Sequence, residues 1–249
     1  MTPLPIRFIL CETSHPGNIG AAARALKNMA LDDLVLVNPA RFPDPEASAR
    51  ASGADDLLAR ARVVATLPEA LHGVGFVIAT TARERDAYHQ VLAARDAARR
   101  VVAEATATHA STVAVLFGTE RTGLSNEQLQ SAHALLRIPT NPAYESLNLA
   151  MAVQLIAYEI FMARSALQPA TVALREVPLA APDEMERLYA HLQSVMDEVD
   201  FRDRTQSGTH LMQRIRRFLN RAELDRNEVN ILRGILTAVQ NKRRVAGPK

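Results

Sequence analysis

The chain has 249 residues, 48% of them hydrophobic and 22% charged, with a formal net charge of +2 and a single cysteine. That length holds one large domain, or a domain of ordinary size with a smaller companion, and the composition is that of a globular protein. No apolar run approaches a bilayer span, Cys11 has no partner for an internal disulfide, and the opening Met-Thr-Pro-Leu-Pro-Ile-Arg lacks a basic region followed by an apolar stretch; a cytoplasmic protein without redox chemistry is expected.

Short β-rich runs alternate with amphipathic stretches through the first two thirds of the chain. Strands are expected at residues 6–11, 34–37, 74–79, 113–117 and 135–138, with helices at 20–29, about 47–61, 90–107 and 126–132. This alternation implies a mostly parallel sheet covered by helices, in which ligands gather at the loops beyond the carboxyl ends of the strands. Residues 12–18, 80–85, 118–125 and 140–146 are those loops.

The last of them is distinctive. Pro139 and Pro142 hold Ile138 and Asn141 away from helical geometry, and beyond them Leu147, Met151, Leu155 and Tyr158 recur at helical spacing and are expected to form a buried stripe. Ser146 and Asn148 then stand at a helix mouth, where unpaired N–H groups and polar side chains can grip a ligand; capping alone is the alternative reading. Likewise, Asn18 can open the helix that follows the first strand, with Arg24 almost two turns later.

Residues 168–182, with Pro169, Pro178 and Pro182, read as a linker between a body ending near residue 167 and a helical extension over 183–249. Asp183 and Glu186 have capping-box spacing, and apolar stripes at Met185, Leu188, Leu192, Val195 and Val199, at Leu211, Met212, Ile215, Phe218 and Leu219, and at Ile231, Leu232, Ile235, Leu236 and Val239 mark three helices. Charge is uneven. Residues 1–168 carry 15 basic and 16 acidic groups, residues 169–200 carry 2 and 7, and residues 201–249 carry 12 and 4. A basic terminal unit with Arg214, Arg216, Arg217 and Arg221 mainly off the apolar stripe suits phosphate contacts; a solvated helix face is the plainer reading.

Three ordered segments, Asn18-Ile-Gly-Ala-Ala-Ala-Arg24, Phe117-Gly-Thr-Glu-Arg-Thr-Gly-Leu124 and the loop into Ser146-Leu-Asn-Leu-Ala-Met-Ala-Val-Gln154, resemble the SPOUT class of RNA methyltransferases, and within it the TrmJ-like tRNA 2′-O-methyltransferases. The likeness extends to Glu12-Thr-Ser-His-Pro-Gly-Asn18, Leu36-Val-Asn-Pro39 and Asn230-Ile-Leu-Arg-Gly-Ile-Leu236, nearly the whole chain. It implies an α/β fold of SPOUT type, a mostly parallel sheet flanked by helices with a carboxyl-side trefoil knot, whereas pattern reasoning alone predicts an unknotted sheet. It also implies S-adenosylmethionine in that knot, a homodimer with active sites at its interface, and tRNA as substrate, at nucleotide 32 of the anticodon loop. By position, Thr80, Thr81, Ala82, Gly118, Ile138, Ser146 and Leu147 are implied to contact the cofactor, and Arg24, Glu120, Ser146 and Asn148, supported by Asn18, to form the catalytic set. Glu145 departs from the small residue that many relatives carry there; turned inward, it would crowd the cofactor.

The implied reaction is an in-line attack of a ribose 2′-hydroxyl on a sulfonium methyl, in which alignment supplies much of the rate. A guanidinium is hard to deprotonate, so Arg24 is expected to bind the neighbouring phosphate and favour the developing alkoxide, while water or Glu120 takes the proton. His15 reads as a hydrogen-bonding support; no second His or Cys stands at metal-ligand spacing, and no metal is expected. A target in ribosomal RNA or at another tRNA nucleotide keeps the same motifs. A non-catalytic RNA-binding protein fits the intact polar set poorly, and a nicotinamide-dependent enzyme lacks its glycine fingerprint, since the first loop offers only Gly17-Asn-Ile-Gly20.

Overall fold

The first strand, β1 (Ile6–Cys11), is buried along its whole length, which requires a partner on each side and a helical layer on each face. A computed structural model describes residues 4–81, 90–107, 111–165, 177–201 and 211–246 and shows how that demand is met. After β1 the chain runs through α1 (Pro16–Asn28), β2 (Asp33–Val37), α2 (Pro45–Ala51), α3 (Asp55–Arg60), β3 (Arg62–Val64), α4 (Leu67–Ala70), β4 (Val74–Thr80), β5 (Val91–Ala93), α5 (Ala94–Thr106), β6 (Thr112–Phe117), α6 (Asn126–Leu129), β7 (Ala134–Arg137) and α7 (Leu149–Ser165). The seven strands form one parallel sheet in the order β3-β2-β1-β6-β4-β7-β5. Phe8 sits between Leu34 on β2 and Val115 on β6.

Strand alternation divides the core in two. Phe8, Leu10, Phe76, Ile78, Val115 and Phe117 face the layer made by α1, α2, α3, α5 and α7, while Ile9, Cys11, Val77, Ala79 and Leu116 face the smaller layer of α4 and α6. Phe8 stacks on Phe117 with ring centroids 5.7 Å apart. Cys11 is buried and its thiol is pushed up to about 12, first by burial and then by the nearby Glu12 charge, so it is an inert core residue as its sequence context indicates. Arg7 enters β1 through a 2.9 Å ion pair to Asp33 and donates to the carbonyls of Ala70 and His72, satisfying a nearly buried cation.

Beyond the body, α8 (Pro182–Glu198), α9 (Leu211–Arg221) and α10 (Arg226–Ala246) enclose a separate core of Met185, Leu188, Tyr189, Met196, Ile215, Leu219 and Val229. The expected linker falls partly outside the described residues, at 168–176. α8 opens two residues earlier than the Asp183–Glu186 spacing suggests, because Pro182 suits a first helical position, and Glu184 accepts the backbone N–H of Ala181 at 2.8 Å. Asp183 instead pairs with Arg187, and Glu186 with Arg216.

Three other expectations change. The stretch at 47–61 is two helices, broken where Ser52 and Gly53 take positive φ. Two three-residue strands, β3 and β5, join the sheet edges. The buried face of α7 is Leu149, Val153, Ile156, Ala157 and Ile160, while Met151, Leu155, Tyr158 and Met162 remain 63%, 42%, 46% and 45% exposed. α7 is apolar around most of its circumference, so spacing alone could not choose the face that meets the sheet.

Candidate active site

The loops after β4, β6 and β7 meet, with the start of α7, around a cleft of about 300 Å³. Thr80, Thr81, Gly118, Glu120, Ile138, Ser146 and Leu147 all line it, which gathers residues from four separate parts of the chain; Ala82 lies outside the described residues. One wall is apolar, with Leu124, Leu129, Leu136, Leu149 and Ala152. Thr80 turns its hydroxyl to the Leu116 carbonyl at 2.9 Å, and the Thr81 N–H donates to Leu136 at 2.9 Å, so both fix the strand ends that border the cleft.

The turn after β6 is tightly drawn. Thr119 and Gly123 exchange two backbone hydrogen bonds of 3.0 and 3.2 Å, and the Thr119 and Thr122 hydroxyls lie 2.7 Å apart. A Cβ on Gly118 would stand 2.1 Å from Gly123 C and from Leu124 N, so the closure of this turn excludes any side chain there. Glu120, at its tip, reaches back to the first loop. Its Oε2 accepts from the Ser14 backbone N–H at 3.1 Å and the Ser14 hydroxyl at 2.9 Å, and its Oε1 from the His15 N–H at 3.2 Å and Asn18 Nδ2 at 2.9 Å.

Burial works to raise the Glu120 pKa, but the hydrogen bonds from Asn18 and Ser14 outweigh it and hold the carboxyl below its usual value. Four donors thus engage the two oxygens of Glu120, and its carboxylate organises the first loop.

Asn18 passes the contact on. Its Oδ1 accepts from Asn148 Nδ2 at 2.9 Å, and Asn148 Oδ1 in turn accepts the Ala150 and Met151 N–H groups at 2.9 and 3.3 Å, capping α7. The sense of this relay is fixed at both ends. Helix N–H groups demand an acceptor from Asn148, a carboxylate demands a donor from Asn18, and so each amide must point as it does. Of the two readings the sequence left open, capping is what the Asn148 side chain performs, and the same side chain also holds Asn18. Asn18 itself does not open α1, which starts at Pro16 after His15.

Ser14 and Gln128 went unnoticed in the sequence. Gln128 caps back onto Ser125 and donates to Glu12 Oε1 at 3.1 Å, and Glu12 holds a φ of 52° where the chain leaves β1. A small polar residue three positions past a strand end was the available signal for Ser14. His15 supports the site through its backbone, while its ring sits 3.7 Å from Glu46. Glu145 lines the cleft and pairs at 3.4 Å with Arg137. Arg24 stands apart, exposed on α1, outside the cleft of its own chain and without an ion-pair partner among the described residues.

The C-terminal arginines also differ in role. Arg216 pairs with Glu186 and lies over the Tyr189 ring at 4.4 Å, so it braces α8 against α9 rather than facing a phosphate. Arg214 and Arg221 are exposed. No helix among the described residues is long and apolar enough to cross a membrane.

The SpoU rRNA methylase family model matches residues 5–158, and the model for the C-terminal domain of the tRNA methyltransferase TrmJ matches residues 183–248. The tRNA (cytidine/uridine-2′-O-)-methyltransferase TrmJ of Photorhabdus laumondii is 49% identical over 238 residues, 94% of this chain and 96% of that protein. The tRNA (cytidine/uridine/adenosine-2′-O-)-methyltransferase TrmJ of Pseudomonas aeruginosa is 45% identical over 243 residues, 94% and 93% of the two chains. The crystal structure of TrmJ from Z. mobilis ZM4 superposes with a TM-score of 0.80 at 33% identity, covering 94% of this chain and 98% of that one. With a matching model over most of its sheet domain and relatives matched along nearly its whole length, this chain belongs to the SpoU methylase family, on its TrmJ branch.

Proposed function

We propose that the protein methylates a ribose 2′-hydroxyl in tRNA with S-adenosylmethionine as donor, acting at nucleotide 32 of the anticodon loop on cytidine, uridine or both. The observation that carries this reading is the oriented relay from Glu120 through Asn18 and Asn148 beside a cleft of cofactor size, in a chain whose full-length relatives are named for 2′-O-methylation of tRNA.

The cleft fits the donor chemically. Its apolar wall of Leu124, Leu129 and Leu136 suits a purine, the backbone at Thr81, Gly118 and Ile138 offers polar groups at strand ends, and the carboxylates of Glu120 and Glu145 complement a cationic sulfur. Bound there, S-adenosylmethionine supplies an electrophilic methyl carbon. The protein's own residues supply alignment: Asn148 caps the start of α7 at the cleft that Ser146 lines, and Glu120 holds the first loop through Ser14, His15 and Asn18. With four donors already on the two oxygens of Glu120, the hydroxyl proton would pass to water rather than to that carboxylate. Arg24 holds the adjacent phosphate and stabilises negative charge on the attacking oxygen.

A homodimer completes the site. The uncovered Met151, Leu155, Tyr158 and Met162 give α7 an apolar outer face, and α1, which carries Arg24, packs beside it. The tail, with Arg214 and Arg221, adds phosphate contacts to the tRNA in the cytoplasm. The reading also takes in the implied knot and a division into a methyl-transfer domain over 1–167 and an RNA-holding unit over 183–249.

Mass spectrometry of nucleosides from unmodified tRNA incubated with the pure protein and S-adenosylmethionine tests this, with the site mapped by fragment sequencing. A 2′-O-methyl group at nucleotide 32 is expected. Methylation at another nucleotide overturns the position, and cofactor binding with no methylation of tRNA overturns the substrate.

A further inference from the structure

The two units do not share an apolar core. The hydrophobic cluster of α8, α9 and α10 is distinct from those of the sheet domain, and Leu179, 7% exposed, is the residue of the described C-terminal portion that enters the larger body cluster. Among the described residues, polar contacts also join them. Asn220, at the end of α9 and 6% exposed, accepts from the Tyr189 hydroxyl at 2.5 Å and donates through Nδ2 to the carbonyl of Gln130, just past α6. Burial raises the Tyr189 phenol well above its usual value, so it remains a donor.

A second contact lies nearby. Arg100 on α5 donates to Glu223 at 2.7 Å and to Glu104 at 2.7 Å, with its guanidinium 5.0 Å above the Phe76 ring. Glu223 has a φ of 51°, in the left-handed region where a helix end favours glycine. A long acidic side chain in that conformation is retained at a conformational cost, and its carboxylate meets Arg100.

We propose that Asn220 and Glu223 are positioning residues that dock the basic C-terminal helices on the sheet domain, so that the tail meets RNA phosphates at a set distance from the methyl-transfer cleft. The inference rests on the RNA reading above. Directional contacts specify one orientation, and among the described residues Leu179 stands beside them as an apolar peg. Gln130 closes the helix whose Gln128 holds Glu12, so the tail is anchored on the element that braces the first active-site loop.

The test compares the full-length protein with Asn220→Ala/Glu223→Ala, with the milder Glu223→Gln, and with the exchanged pair Arg100→Glu/Glu223→Arg. Steady-state methylation of tRNA, S-adenosylmethionine affinity by calorimetry, and the radius of gyration by small-angle X-ray scattering are read for each. The double alanine variant is expected to raise the KM for tRNA at least tenfold, leave kcat and cofactor Kd within twofold, and enlarge the radius of gyration; the exchanged pair is expected to recover part of the KM loss. An unchanged KM and radius overturn the proposal, and so does a parallel loss of cofactor affinity, which marks general destabilisation. Should the wild-type protein methylate no tRNA, the functional reading fails by itself, and scattering still decides docking: an unchanged radius in the double variant refutes it.

Discussion

Asn148 performs two tasks that substitution can separate. Replacing it with Ala removes the α7 cap and the donor to Asn18 together. A lost cap costs about 1 kcal/mol, and an orphaned acceptor on Asn18 about 1 kcal/mol more. At about 2 to 4 °C per kcal/mol for a chain of this size, Tm falls by about 4 to 8 °C. Asn148→Asp behaves differently. Its carboxylate still accepts the Ala150 and Met151 N–H groups and favours the positive end of the helix, so the cap itself changes by no more than about 0.5 kcal/mol. It cannot donate to Asn18 Oδ1, and if Asn18 turns its amide to serve it, an oxygen then faces Glu120. One contact to a charged group must fail, worth about 1.5 to 3 kcal/mol, or about ten- to a hundredfold in rate where alignment limits turnover. Single-turnover methyl transfer at saturating tRNA and S-adenosylmethionine, beside thermal melts, reads both effects. A wild-type rate in Asn148→Asp refutes the oriented relay.

Glu120→Gln must turn its amide donor either on the Ser14 N–H and hydroxyl or on the His15 N–H and Asn18 amide, and methyl transfer should fall at least tenfold. Because the folded carboxyl titrates below its unfolded value, its stabilisation is present above the unfolded value and disappears as pH falls through the folded one; urea melts across the acid range should show a shallower loss in Glu120→Gln than in the wild type. Gly118→Ala forces a methyl group against the Gly123–Leu124 backbone, with a cost of about 1 to 3 kcal/mol, and calorimetry should find S-adenosylmethionine affinity weakened more than tenfold. Unimpaired binding would show that the turn can open. Met151→Lys places a cation on the outer face of α7, and light scattering should record a monomer with methyl transfer lost; a dimer of unchanged mass removes that face from the interface.

Much of the sheet domain was legible because its strands are uninterrupted apolar runs such as Ile6–Cys11, a pattern that burial on both faces imposes. The short edge strands escaped notice because Arg62, Val63 and Val91 are exposed and carry no burial signal. The α7 face was misjudged since the helix is apolar on two sides, one for the sheet and one left uncovered in the single chain. In the site, residue types and loop positions pointed to residues that the fold gathers around one cleft. The task of Glu120 was hidden, because its partners Ser14, His15 and Asn18 lie more than a hundred residues away and only the fold brings them within 3.2 Å. Arg216 looked like a phosphate ligand because spacing along one helix says nothing of Glu186 on another.

The strand order carries a consequence for synthesis. β1 occupies an interior place and pairs on one side with β6, whose residues emerge about a hundred positions later, and the sheet is not complete until β7 joins β4 and β5. α7, which covers the same face together with α1 and α5, follows still later. At ribosomal rates of about 5 to 20 residues per second, the apolar strand Ile6–Cys11 waits roughly 6 to 25 s for the last strand of its sheet. During that interval Phe8, Ile9 and Leu10 have no native cover on one edge, so the nascent chain should be a client for holding chaperones until about residue 160 has left the exit tunnel.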